Sequence, residues 1–430
     1  MQKSQPLTLF TMISTINSQR IADDRPEPIT QPYLLLTSLP FFVDEIGGVW
    51  LDPLWHRDFV RHFDYIKHLI HVAPSKKGEV NRSSLVRVDP PNGAKFSVIS
   101  LPQMESFVQT LLKLPIFMHR LWSGIGRVEI VHSGIVGWPI PLGWLANPIA
   151  LLRRKRLLLV VESAPWRQSG NIPRNLANKL RGAVTEFLAR FYVNRAGIVF
   201  FTQPSYQDTL MSNGSGQGHV VAATWINGDE VLTDNEVDAL WATKEISQCN
   251  EVRYLFASRL TEQKGVRVLL DALHLLDQSG TRFAVDVIGD GVLWQECINA
   301  KLTLTNIKFD VLEPVPYGQP FFELVRRYHA LIVPTISDEQ PRIIFDANSQ
   351  GVPIIAFETD GTRPFVKNLE TGWLVAIVEA KALADQLRSC TEAPHSFQIF
   401  GNNSVKFARA NTHEQMHLTR WRLVRKWLDQ

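Results

Sequence analysis

The chain has 430 residues, 45% of them apolar, and carries 45 Lys and Arg against 42 Asp and Glu. That size supports sizeable cores in two or three domains, and a net charge of +3 gives no overall charge balance that selects nucleic acid or an acidic partner. Three cysteines, Cys249, Cys297 and Cys390, fit neither a metal-ligand spacing nor a disulfide framework, which points to a reducing compartment and a packing role.

Residues 1–30 read as a disordered extension. The apolar run at 7–13 is broken by threonines and is short for a signal core, and Asp23, Asp24, Pro26 and Pro28 follow it. A first domain is expected over 31–228. It opens with a continuous apolar run at 33–39 and a loop holding Gly47 and Gly48, where backbone without side chains lets a ligand approach closely, although a glycine pair also serves plain turns. Strand-length apolar runs at 96–101, 128–132, 157–162 and 198–203 alternate with helix-like segments at 104–114 and 177–192, the pattern of a doubly wound α/β domain.

Residues 130–152 carry no full charge and are followed by Arg153-Arg154-Lys155-Arg156, but Pro139, Pro141 and Pro148 break any straight spanning helix. Strand, loop and short helix is the expectation. A second reading stays open: Trp138, Trp144, the basic run and the cations of the next helix, among them Arg174, Lys179 and Arg181, rest on an anionic membrane surface. The alternative is an ordinary solvated charged face.

The acidic, mostly polar stretch 229–250 reads as a linker, and 251–410 as a second domain. Apolar runs at 252–257, 283–288, 307–311, 330–334, 352–357 and 373–376, separated by helical segments, predict a parallel sheet covered on both faces. Residues 411–430 read as a basic helix that packs back on the first domain, with Trp421, Leu423, Val424 and Trp427 on its buried side. Two α/β halves of similar size imply a ligand cleft between them.

Several groups fall at the carboxyl edge of the second sheet, where open α/β folds bind ligands. Arg259 and Lys264 follow the first strand and precede a helix, a placement suited to a diphosphate. Gly289-Asp290-Gly291 makes a tight turn after the second. After the fourth come Asp338, Glu339, Gln340, Pro341 and Arg342 and then a helix containing Asp346, and Gly361 follows the fifth. Asp338 and Glu339 also suit ordinary helix capping, whereas Asp346 interrupts an apolar helix face beside Ile344 and Phe345.

At these residues the chain resembles the donor half of the retaining glycosyltransferases of family 4, which have the GT-B fold of two Rossmann-like domains facing each other across a cleft. The resemblance rests on Arg259 with Lys264-Gly265, on Gly289-Asp290-Gly291, and above all on Asp338 and Asp346 with seven residues between them, followed by Ala347 and Gly351-Val352-Pro353. It covers 252–376 well and the first domain weakly, through Gly47-Gly48 and a strand ending at His132. The family has glutamates where this chain has Asp338 and Asp346, a second histidine near the place of Gly134, and a glycine pair with a glutamate near Gly361.

The resemblance implies that Asp346 holds the ribose of a nucleotide-diphosphate sugar and Asp338 the transferred sugar. Amides at Gln340 to Arg342 would fix sugar and phosphate, and Arg259 and Lys264 would take the diphosphate. It further implies a metal-independent retaining hexosyltransferase with no bound cofactor and no protein nucleophile. A polysaccharide or glycolipid would be the acceptor, and the protein would lie in the cytoplasm, at a membrane without a transmembrane helix. Shortened carboxylates keep two other readings in view: a non-catalytic GT-B subunit that binds nucleotide-sugar or scaffolds a partner enzyme, and a nucleotide-sugar epimerase. Scattered basic residues and the absence of a recognised module disfavour nucleic acid.

Overall fold

The structure, a computed structural model, describes residues 25–77, 83–167, 176–212, 216–244 and 251–430. Of the disordered extension expected over 1–30, residues 1–24 lie outside these residues, as do the basic contribution of Arg174 and the surroundings of Cys249. The end of that stretch is instead ordered, with Ile29 buried in the first domain and its N donating to Tyr65 O at 2.7 Å. The predicted fold class is what the structure has: two α/β domains with parallel sheets, facing each other across a cleft.

The first sheet is built on seven parallel strands, in spatial order Gln217–Val220, Ile198–Phe201, Arg156–Val161, Ile130–Gly134, Tyr33–Leu36, His68–Lys77 and Lys95–Leu101. Chain order runs outward from Tyr33–Leu36 in both directions, so the crevice where the direction reverses lies between that strand and Ile130–Gly134. Alternate side chains enter opposite cores. Leu34, Leu157, Leu159, Val199 and Phe201 pack under the helices Leu114–Gly126, Leu142–Leu152 and Leu176–Val193. Tyr33, Leu35, Leu158, Ile198 and Phe200 pack on the other face with Phe59, Phe63 and the helix His413–Leu428, which contributes Met416, Trp421, Val424 and Leu428.

The second sheet is all parallel, in spatial order Lys308–Leu312, Ala284–Ile288, Arg253–Ala257, Ala330–Val333, Ile354–Phe357 and Gly372–Val375. Its direction reverses between Arg253–Ala257 and Ala330–Val333, which places the predicted site loops at the crevice. Every residue of Ala284–Ile288, Ala330–Val333 and Ile354–Phe357 is buried, as expected of strands covered on both faces.

Two expectations need correction. The acidic stretch after residue 228 is more than a linker: Thr233 and Glu236 form a reciprocal capping box for the helix Asp234–Thr243. Val237 and Trp241 of this helix are buried in the second core, and the Trp241 indole donates to Gly351 O at 3.1 Å. The single helix expected over 104–114 is two, Phe107–Leu112 capped by Ser106 and Leu114–Gly126, because Pro115 starts a new first turn. Among the described residues, no helix is long and apolar enough to cross a membrane, and 130–152 forms strand, loop and the helix Leu142–Leu152.

Candidate active site

The loops leaving Arg253–Ala257 and Ala330–Val333 touch backbone to backbone. Gly265 sits in the left-handed region at φ 76°, and a Cβ there would lie 1.7 Å from Pro334 O, so only glycine admits this approach. Between the two loops lies a cavity of about 240 Å³ lined by Arg259, Lys264, Glu339, Gln340, Pro341 and Arg342. Lys264 Nζ is 3.6 Å from Glu339. Burial lowers the Lys264 pKa, Glu339 opposes this, and Arg259 and Arg342 add to the lowering. Three cations thus share one carboxylate in a small space, an excess of positive charge that an entering diphosphate would neutralise.

The remaining glycines of this edge act on the loops. Cβ atoms on Gly289 and Gly291 would lie 1.8 Å from Ser258 O and 2.4 Å from Leu260 O, and one on Gly361 would lie 2.2 Å from Glu339 O. Leu260 N donates to Asp290 O at 2.8 Å. None of these three glycines lines the cavity; they let neighbouring loops pack against the residues that do.

The segment from Asp338 to Arg342 is also gripped by the first domain. Gln203 Nε2 and the Tyr206 hydroxyl donate to Asp338 O at 2.6 and 3.2 Å. The Gln340 side chain accepts from Ala223 N at 2.9 Å and donates to Ala223 O at 2.7 Å, and the Arg342 guanidinium lies 3.7 Å from the Trp225 ring centroid. Burial, helped by Asp360, raises the Asp338 carboxyl above its ordinary range. Neither Asp338 nor Asp346 lines this cavity or the larger one beyond Glu339. Asp346 is buried in the helix Ile343–Ser349 and accepts from the Tyr317 hydroxyl at 2.9 Å, and burial pushes its pKa up to about 7. The Tyr317 ring stands edge-on to Trp225, with centroids 6.5 Å apart.

A larger cavity of about 530 Å³ opens on the other side of Glu339, Gln340 and Arg342, which line both spaces. Its first-domain wall includes Thr37, His62, His132, Gly134 and Gly137, at that domain's own crevice. His132 is buried, and its Nδ1 lies 2.8 Å from the Tyr33 hydroxyl. Burial above all, with His62 and Arg420 adding, holds its pKa well below the ordinary value, so it meets the cavity as a neutral hydrogen-bonding group.

Gly47 and Gly48 are elsewhere. They close the hairpin of Phe41–Val43 and Val49–Leu51, where the Asp44 carboxylate accepts from Gly48 N at 2.6 Å and from the Trp50 indole at 2.8 Å. A Cβ on Gly48 would lie 2.6 Å from that carboxylate, so the pair performs turn chemistry, while Thr37, Ser38 and Leu39 line the cavity.

The sequence reading missed a buried polar cluster at this wall, where Asp58 itself lines the larger cavity. Asp58 Oδ1 accepts from His413 Nε2 at 3.0 Å and His417 Nε2 at 3.2 Å, with the Tyr65 hydroxyl 3.3 Å from His417 Nδ1. Burial would raise the Asp58 carboxyl, but these two hydrogen bonds outweigh it and hold the pKa well below the usual range, while burial lowers His417 to about 3. The donor atoms of Asp58, His413 and His417 lie within 4.8 Å of one another, as metal ligands would. A metal on both Nε2 atoms requires each imidazole to donate from Nδ1, and the buried His413 Nδ1 has no partner. The cluster therefore fits a hydrogen-bonded latch that fastens the last helix to the first domain. No spacing could have revealed it, since Asp58 and His417 stand 359 residues apart.

Residues 251–393 match the family model described as glycosyl transferases group 1. No curated protein sequence matches the chain. Among solved structures, Anabaena HepE in complex with UDP-glucose is 14% identical, with 92% of this chain and 99% of that one covered at a TM-score of 0.62. Sucrose-phosphate synthase from Thermosynechococcus elongatus is 16% identical over 93% and 99%, at 0.64, and a glycosyltransferase from Rickettsia africae is 15% identical over 93% and 99%, at 0.60. Identities this low establish shared architecture. The chain thus has the GT-B fold, and the part of its second domain over 251–393 resembles glycosyl transferases group 1.

Proposed function

We propose that the chain is a retaining, metal-independent glycosyltransferase. It would draw a hexose from a nucleotide-diphosphate sugar held at the edge of the second sheet and pass it to a polysaccharide or lipid-linked acceptor in the larger cavity. The observation that carries this reading is the convergence of Arg259, Lys264 and Arg342 on one small cavity at the crevice of the second domain. Glu339, Gln340 and Arg342 then form a partition with donor phosphates on one side and acceptor space on the other. The bond from the sugar to the diphosphate breaks as the bond to the acceptor oxygen forms, and the acceptor proton passes to the departing phosphate. The cations stabilise the charge that gathers there. UDP-glucose in the HepE structure supports a uridine donor as the first to try.

Incubation with a panel of nucleotide-sugars, followed by chromatography of the nucleotides, tests this reading. The expected result is slow release of nucleoside diphosphate from one donor, undiminished by a chelator and accelerated by an acceptor. Binding without release would favour a non-catalytic subunit. One observation speaks for that second reading: the Asp346 carboxylate is turned onto Tyr317.

A further inference from the structure

Two of the helices over one face of the first sheet, Leu114–Gly126 and Leu176–Val193, are apolar on both sides. In Leu176–Val193, the inward residues Ala189, Tyr192 and Val193 pack in the core, yet Leu176, Leu180, Val184 and Phe187 recur at helical spacing on the opposite side, with Leu180 65% and Phe187 66% exposed. The pattern recurs farther along the same face of the sheet: Leu112 is 78% exposed, and Ile116 and Trp122 point outward from Leu114–Gly126 while Phe117, Leu121 and Ile125 are buried. A soluble surface seldom gathers so many large apolar side chains on helices that cover one face of a sheet without a partner.

Charge decides which partner fits. Residues 107–127 carry Lys113, Arg120 and Arg127 and no carboxylate. Arg153 lies 3.9 Å from the Trp122 ring centroid, and Arg181 lies 5.3 Å from that of Trp138, so cations stand directly on the exposed aromatics. The carboxylate on the exposed stretch of Leu176–Val193, Glu186, is engaged by Arg167 at 2.6 Å and Arg190 at 2.8 Å. Apolar side chains rimmed by unbalanced Lys and Arg match the interface of an anionic bilayer, where the rings enter the headgroup boundary and the cations meet phosphates.

We infer that this face docks on an anionic lipid surface through the helices Phe107–Leu112, Leu114–Gly126 and Leu176–Val193. The face adjoins the cleft: Gly137 lines the larger cavity, and the next residue, Trp138, is 66% exposed beneath Arg181. A lipid-linked acceptor lying in the bilayer would therefore reach the cavity from its edge. This consequence rests on the proposed function, whereas docking itself needs no donor.

Sedimentation of the full chain with phosphatidylglycerol vesicles, and with phosphatidylcholine vesicles, tests the inference. Pelleting with the anionic vesicles is expected, weakening at high salt and falling about tenfold or more when Leu180→Asp and Phe187→Asp are combined, in a variant that melts as the parent does. A chain that stays in solution with anionic vesicles overturns the inference, as does equal pelleting with both lipids or by the double variant. A dimer in light scattering that the same variant dissolves would also overturn it, assigning the face to a second copy. Loss of donor turnover with vesicle binding intact would sink the proposed function alone.

Discussion

The two walls of the cleft are built by the same topology but carry different kinds of information. In the second domain the site lies in loops that follow buried strands at once, so position in the sequence nearly gives position in space: Ala257 leads to Arg259 and Lys264, and Val333 to Glu339 and Arg342. In the first domain the wall is assembled from distant pieces. His132 rests on Tyr33, and the helix Pro53–Arg61 beneath it is fastened by Asp58 to His413 and His417 at the far end of the chain. One wall is local and positively charged. The other is long-range and buried.

Breaking the local wall should cost most. Gly265→Ala would force a side chain into the left-handed region and against Pro334 O, so a loss of at least about 3 kcal/mol in denaturant unfolding is expected. A loss below about 1 kcal/mol would mean that the loops do not meet as described. Next comes the long-range wall: Asp58→Ala leaves two buried imidazoles without their acceptor and should cost about 2 to 4 kcal/mol. It should also free the last helix to faster hydrogen exchange than the second sheet, and uniform exchange would contradict the latch.

The two walls should also respond oppositely to pH. Asp346 has a folded-state pKa of about 7, above its unfolded value of about 3.9, so its contribution to stability is present in acid and lost as pH rises through 7. His71 and His417, both lowered to about 3, contribute stability above about pH 6.5 that is lost as pH falls. Asp346→Asn removes the first contribution, so between about pH 4 and 7 its stability should rise more steeply with pH than the parent's. The difference should be on the order of 2 to 4 kcal/mol across that window. Identical slopes would show that Asp346 is not buried as a neutral acid. The smallest effect belongs to the hairpin: Gly47 has φ 83° with open space around its Cβ position, so Gly47→Ala should cost only about 1 to 2 kcal/mol. Its donor KM should not change, and a raised KM would bring the hairpin into the site.

What the sequence revealed follows the same division. All six strands of the second sheet stand out as short, mainly apolar runs, with Arg253, Asp286, Lys308 and Asp310 the charged residues among them, and the cations after the first of them are legible because nothing but a loop separates them from it. The interior strand His68–Lys77 of the first sheet escaped because His68, His71, Pro74 and Ser75 break its apolar run, although it pairs with both Tyr33–Leu36 and Lys95–Leu101. The glycine pair misled because Gly47-Gly48 reads alike in a hairpin turn and in a loop that approaches a ligand. Spacing placed Asp346 on its helix, but only the fold shows Tyr317 coming to it from another loop.

The claim that most needs a direct test is that Arg259, Lys264 and Arg342 hold the diphosphate. Calorimetric titration of the parent and of Lys264→Ala with UDP, and with the diphosphate of whichever donor the panel selects, measures it. The account predicts binding by the parent and a loss of about tenfold to a hundredfold in the variant, as expected for one buried charged contact. Equal affinity in the two proteins would contradict it.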